Sequence, residues 1–409
     1  MIKLFISIVL LFCIHLQADA TGEFIENFVK EAIKNNPSIL SKHNAIKYAK
    51  FLEESASWEY FPTPVANSEF QDGGDKSYMI GLKQPLFSGG KIDASYEIAK
   101  LNVKINAMSA KEVEQTLALS VAQSIYLVIN AHGKILVYKD FLSLMESSKE
   151  MMQRRIEQGI SPESEMMLVQ SRLATLKTDL NLAIVSQKKA LATLSQFLAR
   201  DVKLEEFGAI LPQTKCAIRF DKFDELENSI DETLKTSPSL EKYDYQIAAQ
   251  KKEIDLKEAA FYPLVYAQVT RNKQTGYEGD TVGKVVLEMN FGAGLSSFSN
   301  LDAAKVNIKG LEADKNNYIL ELTQKLESEK IDYELALQRY ENYLLSVESA
   351  KETMDSYERL FKVGKKSWLD VLNAQREWVN GEIALTDAQS YLLIAPFRFK
   401  IYANQLVRN

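Results

Sequence analysis

Two carboxylates stand out by position. Glu165 follows Gln158-Gly159-Ile160-Ser161-Pro162, and Asp370 follows Val363-Gly364-Lys365-Lys366-Ser367. A glycine that closes one helix, then an acid in the first turn of the next, is the pattern of a tight helical hairpin. Pro162 suits such a first turn, with Ser161 as its cap. Each acid complements a helix dipole, worth about 0.3–1 kcal/mol. Little else could do chemistry. His43 and His132 have no second His or Cys at ligand spacing, so no zinc site is expected. No Ser/His/Asp, P-loop or dinucleotide signature occurs, which argues against an enzyme and leaves no cofactor to expect.

The elements that must hold these turns belong to a large folded chain of 409 residues, 46% apolar and 25% charged. Its net charge of −6 comes from 49 basic and 55 acidic residues without a long basic block, so nucleic acid is not an expected partner. Lys3, the apolar stretch from Leu4 to Leu16 and Ala18-Asp19-Ala20 form a secretory leader, residues 1–20, cut after Ala20. Cys13 lies behind Phe12, where a lipobox wants a small residue. Beyond the leader Cys216 stands alone, so it reads as a small buried apolar side chain. No run of 18 apolar residues follows the leader, and Tyr391 to Tyr402 is too short and carries Arg398 and Lys400. Passage through a membrane must therefore use strands.

The chain repeats itself. Lys34-Asn35-Asn36-Pro37-Ser38-Ile39 is echoed by Lys235-Thr236-Ser237-Pro238-Ser239-Leu240, and Phe61-Pro62 by Tyr262-Pro263. Phe87-Ser88-Gly89-Gly90 is echoed by Phe291-Gly292-Ala293-Gly294, and Gly159 with Glu165 by Gly364 with Asp370. The order of these pairs predicts a first repeat over 21–200, a linker over 201–221 and a second repeat over 222–409. Each repeat opens with a helix, Phe24 to Trp58 or Phe223 to Ala260, ending near a proline. Strands follow, at about 65–88 and 264–291, each pair joined by a turn: Asp72-Gly73-Gly74-Asp75, and Gly276 to Asp280. Tyr78, Ile80, Leu82 and Leu86 share one face of a strand, and Val285, Leu287, Met289 and Phe291 share one face of another. Lys83 lies on the opposite, polar face of the first, and Lys284, Glu288 and Asn290 on that of the second.

Four strands cannot close a membrane barrel, which begins at about eight, so membrane-crossing strands here require several chains to share one barrel. After the strands come long helices with heptad seams. Leu326, Tyr333, Tyr340, Val347, Met354 and Phe361 form one, with Ala336, Tyr343, Ala350 and Tyr357 beside it. Val121, Val128, Ile135, Leu142, Lys149 and Ile156 form its counterpart, with Leu117, Ser124, Ala131, Tyr138, Met145 and Met152 beside it. From Gly90 to Gly159 no proline and one glycine, Gly133, interrupt the chain, enough for a rod of about 100 Å. The hairpin tips fall at about 158–163 and 363–367.

Three segments carry a resemblance: the Asn-Pro-Ser of the opening helix, the junction Gln84-Pro85-Leu86-Phe87-Ser88-Gly89-Gly90, and the run from Val363 through Trp368-Leu369-Asp370-Val371-Leu372-Asn373-Ala374-Gln375. With the duplication, these resemble the TolC-like outer-membrane efflux protein family over nearly the whole chain after the leader. The resemblance implies a mainly α protein with a transmembrane β part, a homotrimer with one twelve-stranded barrel and a periplasmic α-helical tunnel. It implies an exit duct for efflux or type I secretion, set in outer-membrane lipid. The expected partners are a periplasmic adaptor and an inner-membrane RND, ABC or MFS transporter. It also implies a ring of Asp370 at the periplasmic entrance, with Asn373 where the family often has a second aspartate. Glu165 matches an acid that holds the tip closed against Phe361 and Lys366. Gly159, Ile160, Ser161, Val363, Gly364 and Lys365 match the adaptor-docking turns, and Lys83, Lys284 and Glu288 would face the barrel lumen. The rival reading, a secreted or periplasmic coiled-coil scaffold, would carry a single hairpin flanked by β domains.

Overall fold

The computed structural model describes residues 22–70, 76–208, 210–211, 226–274, 276, 278–289 and 295–403. The leader with Cys13, the turn Asp72 to Asp75, most of the linker with Cys216, and Asn290 to Gly294 lie outside them. The described chain runs through one order of elements twice. The first pass is α1 (22–35), α2 (Pro37–Trp58), β1 (Thr63–Phe70), β2 (Lys76–Phe87), α3 (Lys91–Glu157) and α4 (Glu163–Leu198). The second is α5 (Leu226–Thr236), α6 (Pro238–Glu258), β3 (Leu264–Gln274), β4 (Asp280–Glu288), α7 (Ser296–Lys362) and α8 (Trp368–Tyr402). Both long helices have 67 residues.

Each opening helix is broken where one continuous helix was expected. Asn36 and Ser237 leave the helical path, and Pro37 and Pro238 start new helices. Proline excludes the helical conformation in the residue before it and lacks an N–H, which the first turn does not need. Asn36 Nδ2 donates to Phe197 O at 2.9 Å, tying the first break to the end of α4.

The structure divides into two compact units. One, comprising Ser38–Val113 and Leu234–Leu322, holds the sheet. Its strands pair antiparallel in the order β1-β2-β3-β4, so both outer edges are unpaired among the described residues. The register places Ala66, Ile80, Arg271 and Thr281 in one transverse row and Pro64, Leu82, Val269 and Gly283 in the next on the same face. That face carries Ile80 at 70% exposure and Val285 at 68%: the apolar face is turned outward, whereas period two alone suggested a half-buried one. A bulge between Pro85 and Phe87 shifts the register, bringing Phe87 opposite Val265.

The other unit comprises the chain up to Pro37, Glu114–Thr233 and everything from Thr323. In α7 the predicted seam from Leu326 to Phe361 is buried at all six positions. The equivalent seam of α3 is not: Lys149 is exposed and Leu142 and Ile156 are half-buried. An unpaired lysine is too costly to bury, and α3 instead buries Met145 and Met152 of the companion stripe. Gly133 has a specific task. A Cβ there would stand 2.5 Å from Thr386 Cγ2 of α8, and that threonine is fixed by its hydroxyl donating to Glu382 O at 2.8 Å. Gly133→Val should therefore destabilise by about 1–3 kcal/mol through overpacking, read as a lower melting temperature; an unchanged one would show that the contact is slack.

Candidate functional site

The hairpin ends are built as the glycines require. Gly159 (φ 68°) and Gly364 (φ 75°) are left-handed. Gly159 N donates to Ile156 O and Ile160 N to Arg155 O, both at 2.9 Å; Gly364 N donates to Phe361 O at 3.0 Å and Lys365 N to Leu360 O at 2.9 Å. Both turns are thus the same paired closure of a helix C-terminus. Ile160 and Val363 are exposed at them, giving each turn an apolar knob.

The next helices start differently. Ser161 does not cap α4: Pro162 occupies the cap position in an extended conformation and makes no side-chain bond, while the Ser161 hydroxyl accepts from Arg155 Nε at 3.2 Å. A residue before proline is pushed out of the helical region, which moves the cap one position on. Ser367 does cap α8. Its Oγ accepts from Asp370 N at 3.2 Å, and Asp370 Oδ2 accepts from Ser367 N at 3.1 Å and from its hydroxyl at 2.8 Å. The Ser367 hydroxyl and then its N–H hold the Asp370 carboxyl below its usual value of 3.8. Asn373, one turn on, is exposed.

Behind the turns one core joins both hairpins. Met145 and Met152 of α3, Met166 and Val169 of α4, Phe361 of α7 and Trp368 of α8 belong to it. Phe361 and Trp368 lie 5.1 Å apart between ring centroids, and the Arg155 guanidinium lies 4.6 Å over the Phe361 ring. Lys366 Nζ lies 4.2 Å over Tyr357 and forms no ion pair with Glu165 among the described residues. Glu165 is half-buried, and its Oε2, like Trp368 Nε1, is buried without a hydrogen-bond partner. Neither Arg155 nor Trp368 was predicted as a tip residue. A tryptophan directly after a helix-closing turn was the available clue; for Arg155 the sequence offered none.

In the sheet unit, Lys83, Gln268 and Lys284 stand in one transverse row, while Glu288 pairs with Leu264 four residues further along β4. Their face also carries Asn67, Thr270 and Asn272 and is the polar one. No helix among the described residues is long and apolar enough to cross a membrane, and no cluster of His, Cys, Asp or Glu there could hold a metal.

No curated protein matches the chain. Solved structures similar in fold include CusC (TM-score 0.79, 14% identity, 93% of this chain and 92% of that one), solved for conformational changes accompanying folding and transmembrane channel formation. The outer membrane protein VceC from Vibrio cholerae gives 0.77 at 12% identity over 93% and 95%, and the Campylobacter jejuni CmeC outer membrane channel 0.78 at 14% over 94% and 86%. The sequence itself matches one family over residues 64–200 and 229–398. With a duplicated β-hairpin and long helical hairpin, a sheet turned inside out and matches covering both repeats, the chain belongs to the outer membrane efflux protein family, and its place is the outer membrane.

Proposed function

We propose that three copies form an exit duct for efflux or secretion, fed by an inner-membrane RND, ABC or MFS transporter through a periplasmic adaptor. The observation that carries this reading is the sheet, which among the described residues has four strands, two unpaired edges, one exposed apolar face and one polar face. A sheet of this kind buries its edges and apolar face only by joining other copies in a bilayer. Exposed Trp58, Tyr60 and Phe61 before β1, and Tyr262 before β3, supply the aromatic girdle expected at the periplasmic face of the outer membrane. The number three comes from the family likeness. Native mass measured in mild detergent on protein from outer membranes should give a trimer; a monomer in every detergent would overturn the reading.

The two tip turns, with Ile160 and Val363 exposed, are the proposed docking surface for the adaptor, and the duct is passively gated there. Asp370 from each copy forms an entrance ring that attracts cations; Asn373 adds no charge. Glu165, with one carboxylate oxygen unpartnered, latches to Lys366 only if that lysine leaves Tyr357. The ring's pH dependence follows from the depressed Asp370 carboxyl. Its charge, and the cap it makes, are lost as pH falls through the lowered value. Cation preference in planar bilayers should therefore fade only as pH falls below the usual carboxylate range, and be abolished by Asp370→Asn. A variant that retains wild-type preference would remove the ring.

A further inference from the structure

From the strand register we infer that Lys83, Gln268 and Lys284 form a belt on the inner wall of the barrel that binds multivalent anions reaching it from the barrel side, away from the Asp370 ring. This rests on the barrel reading above.

Three observations carry it. First, Lys83 pairs with Gln268 and Gln268 with Lys284, which puts both ammonium groups in one row on the polar face, about 10 Å apart across two strand spacings. The Gln268 amide between them is a neutral donor. Along the sequence Lys83, Lys284 and Glu288 read as mixed in sign; the register separates the signs. Second, the carboxylates of that face are remote. Asp280 and Glu288 stand four residues from Lys284 on β4, about 13 Å along the strand, and Glu69 stands six residues from Thr63, the β1 partner of Lys83, about 20 Å along it; all lie beyond a Debye length of about 8 Å in physiological salt. Among the described residues neither lysine has an ion-pair partner. Third, Lys83 is seated: its Nζ lies 3.6 Å over the Tyr266 ring, a same-face neighbour on β3, which holds the charge in place without neutralising it.

With three copies, six ammonium groups ring the wall at one level. Such a ring favours anions, and a solute with several negative charges could touch two lysines of one copy at once. The test is block of single channels by inorganic tripolyphosphate, added to each side in turn, with the full chain in planar bilayers. Block is expected from one side only, and K83Q/K284Q should raise the half-blocking concentration by about tenfold. Charge-retaining K83R/K284R should keep wild-type block, separating loss of charge from damage to the barrel. Normal conductance with the same block in K83Q/K284Q would overturn the belt and leave the duct intact; no conductance in any form of the chain would overturn both.

Discussion

Trp368→Ala should lower stability by about 3–5 kcal/mol, the largest loss expected of any single truncation in the helical unit. The side chain is 1% exposed, packs at a tilt against Phe361 and belongs to the core that holds the α3–α4 hairpin to the α7–α8 hairpin. Removing it leaves a void where two hairpins meet, and helices there would separate before those elsewhere. Thermal melting followed at 222 nm should show the loss, and single-channel records should show longer open periods. Trp368→Phe separates packing from polarity. The Trp368 N–H is buried without an acceptor, which costs about 1–3 kcal/mol. Phenylalanine gives up contact area but removes that cost, so its net change should be within about 1 kcal/mol of zero. Equal melting of the alanine variant and the parent would mean that the distal core holds nothing together.

A lysine on the outward face of the sheet should be nearly as damaging, by another route. Val285 lies mid-strand on the apolar face and is exposed. In a bilayer Val285→Lys would put a charge in hydrocarbon, at about 2–4 kcal/mol per copy near the midplane. Val282→Lys makes the same chemical change three residues away on the polar face, where a water-filled interior should tolerate it. The first should reduce trimer recovered from outer membranes by at least about tenfold, and the second should leave it near wild type. Equal recovery of the two variants would show that the faces are not lipid and lumen.

What the sequence made legible was what repeats at short range. The heptads of α7, the alternation of β2 and β4, and the glycines closing both hairpins translate directly into buried stripes, sheet faces and left-handed turns. What escaped depends on partners distant in sequence. Nothing in the local pattern of Lys149 told which of two heptad stripes α3 would bury. Similarly, the pairing of Lys366 was decided by Tyr357, nine residues upstream across the Gly364 turn, against an acid about 200 residues away. The shared row of Lys83 and Lys284 is a matter of strand register, which period-two alternation leaves open to shifts of two residues.

The unequal stripes of α3 and α7 bear on how the duplicated chain can have changed over time. Two identical copies could pair with either neighbour. Once one copy buries Tyr333 and Tyr340 where the other buries Val128 and Ile135, the halves are no longer interchangeable, and neither half can stand in for its partner. Tyr333 and Tyr340 pack on Ala388 and Leu392 of their own hairpin, whereas Phe361 and Trp368 share a core with Met145 and Met152 of the other, so a chain holding one half alone would keep its seam and lose its distal core.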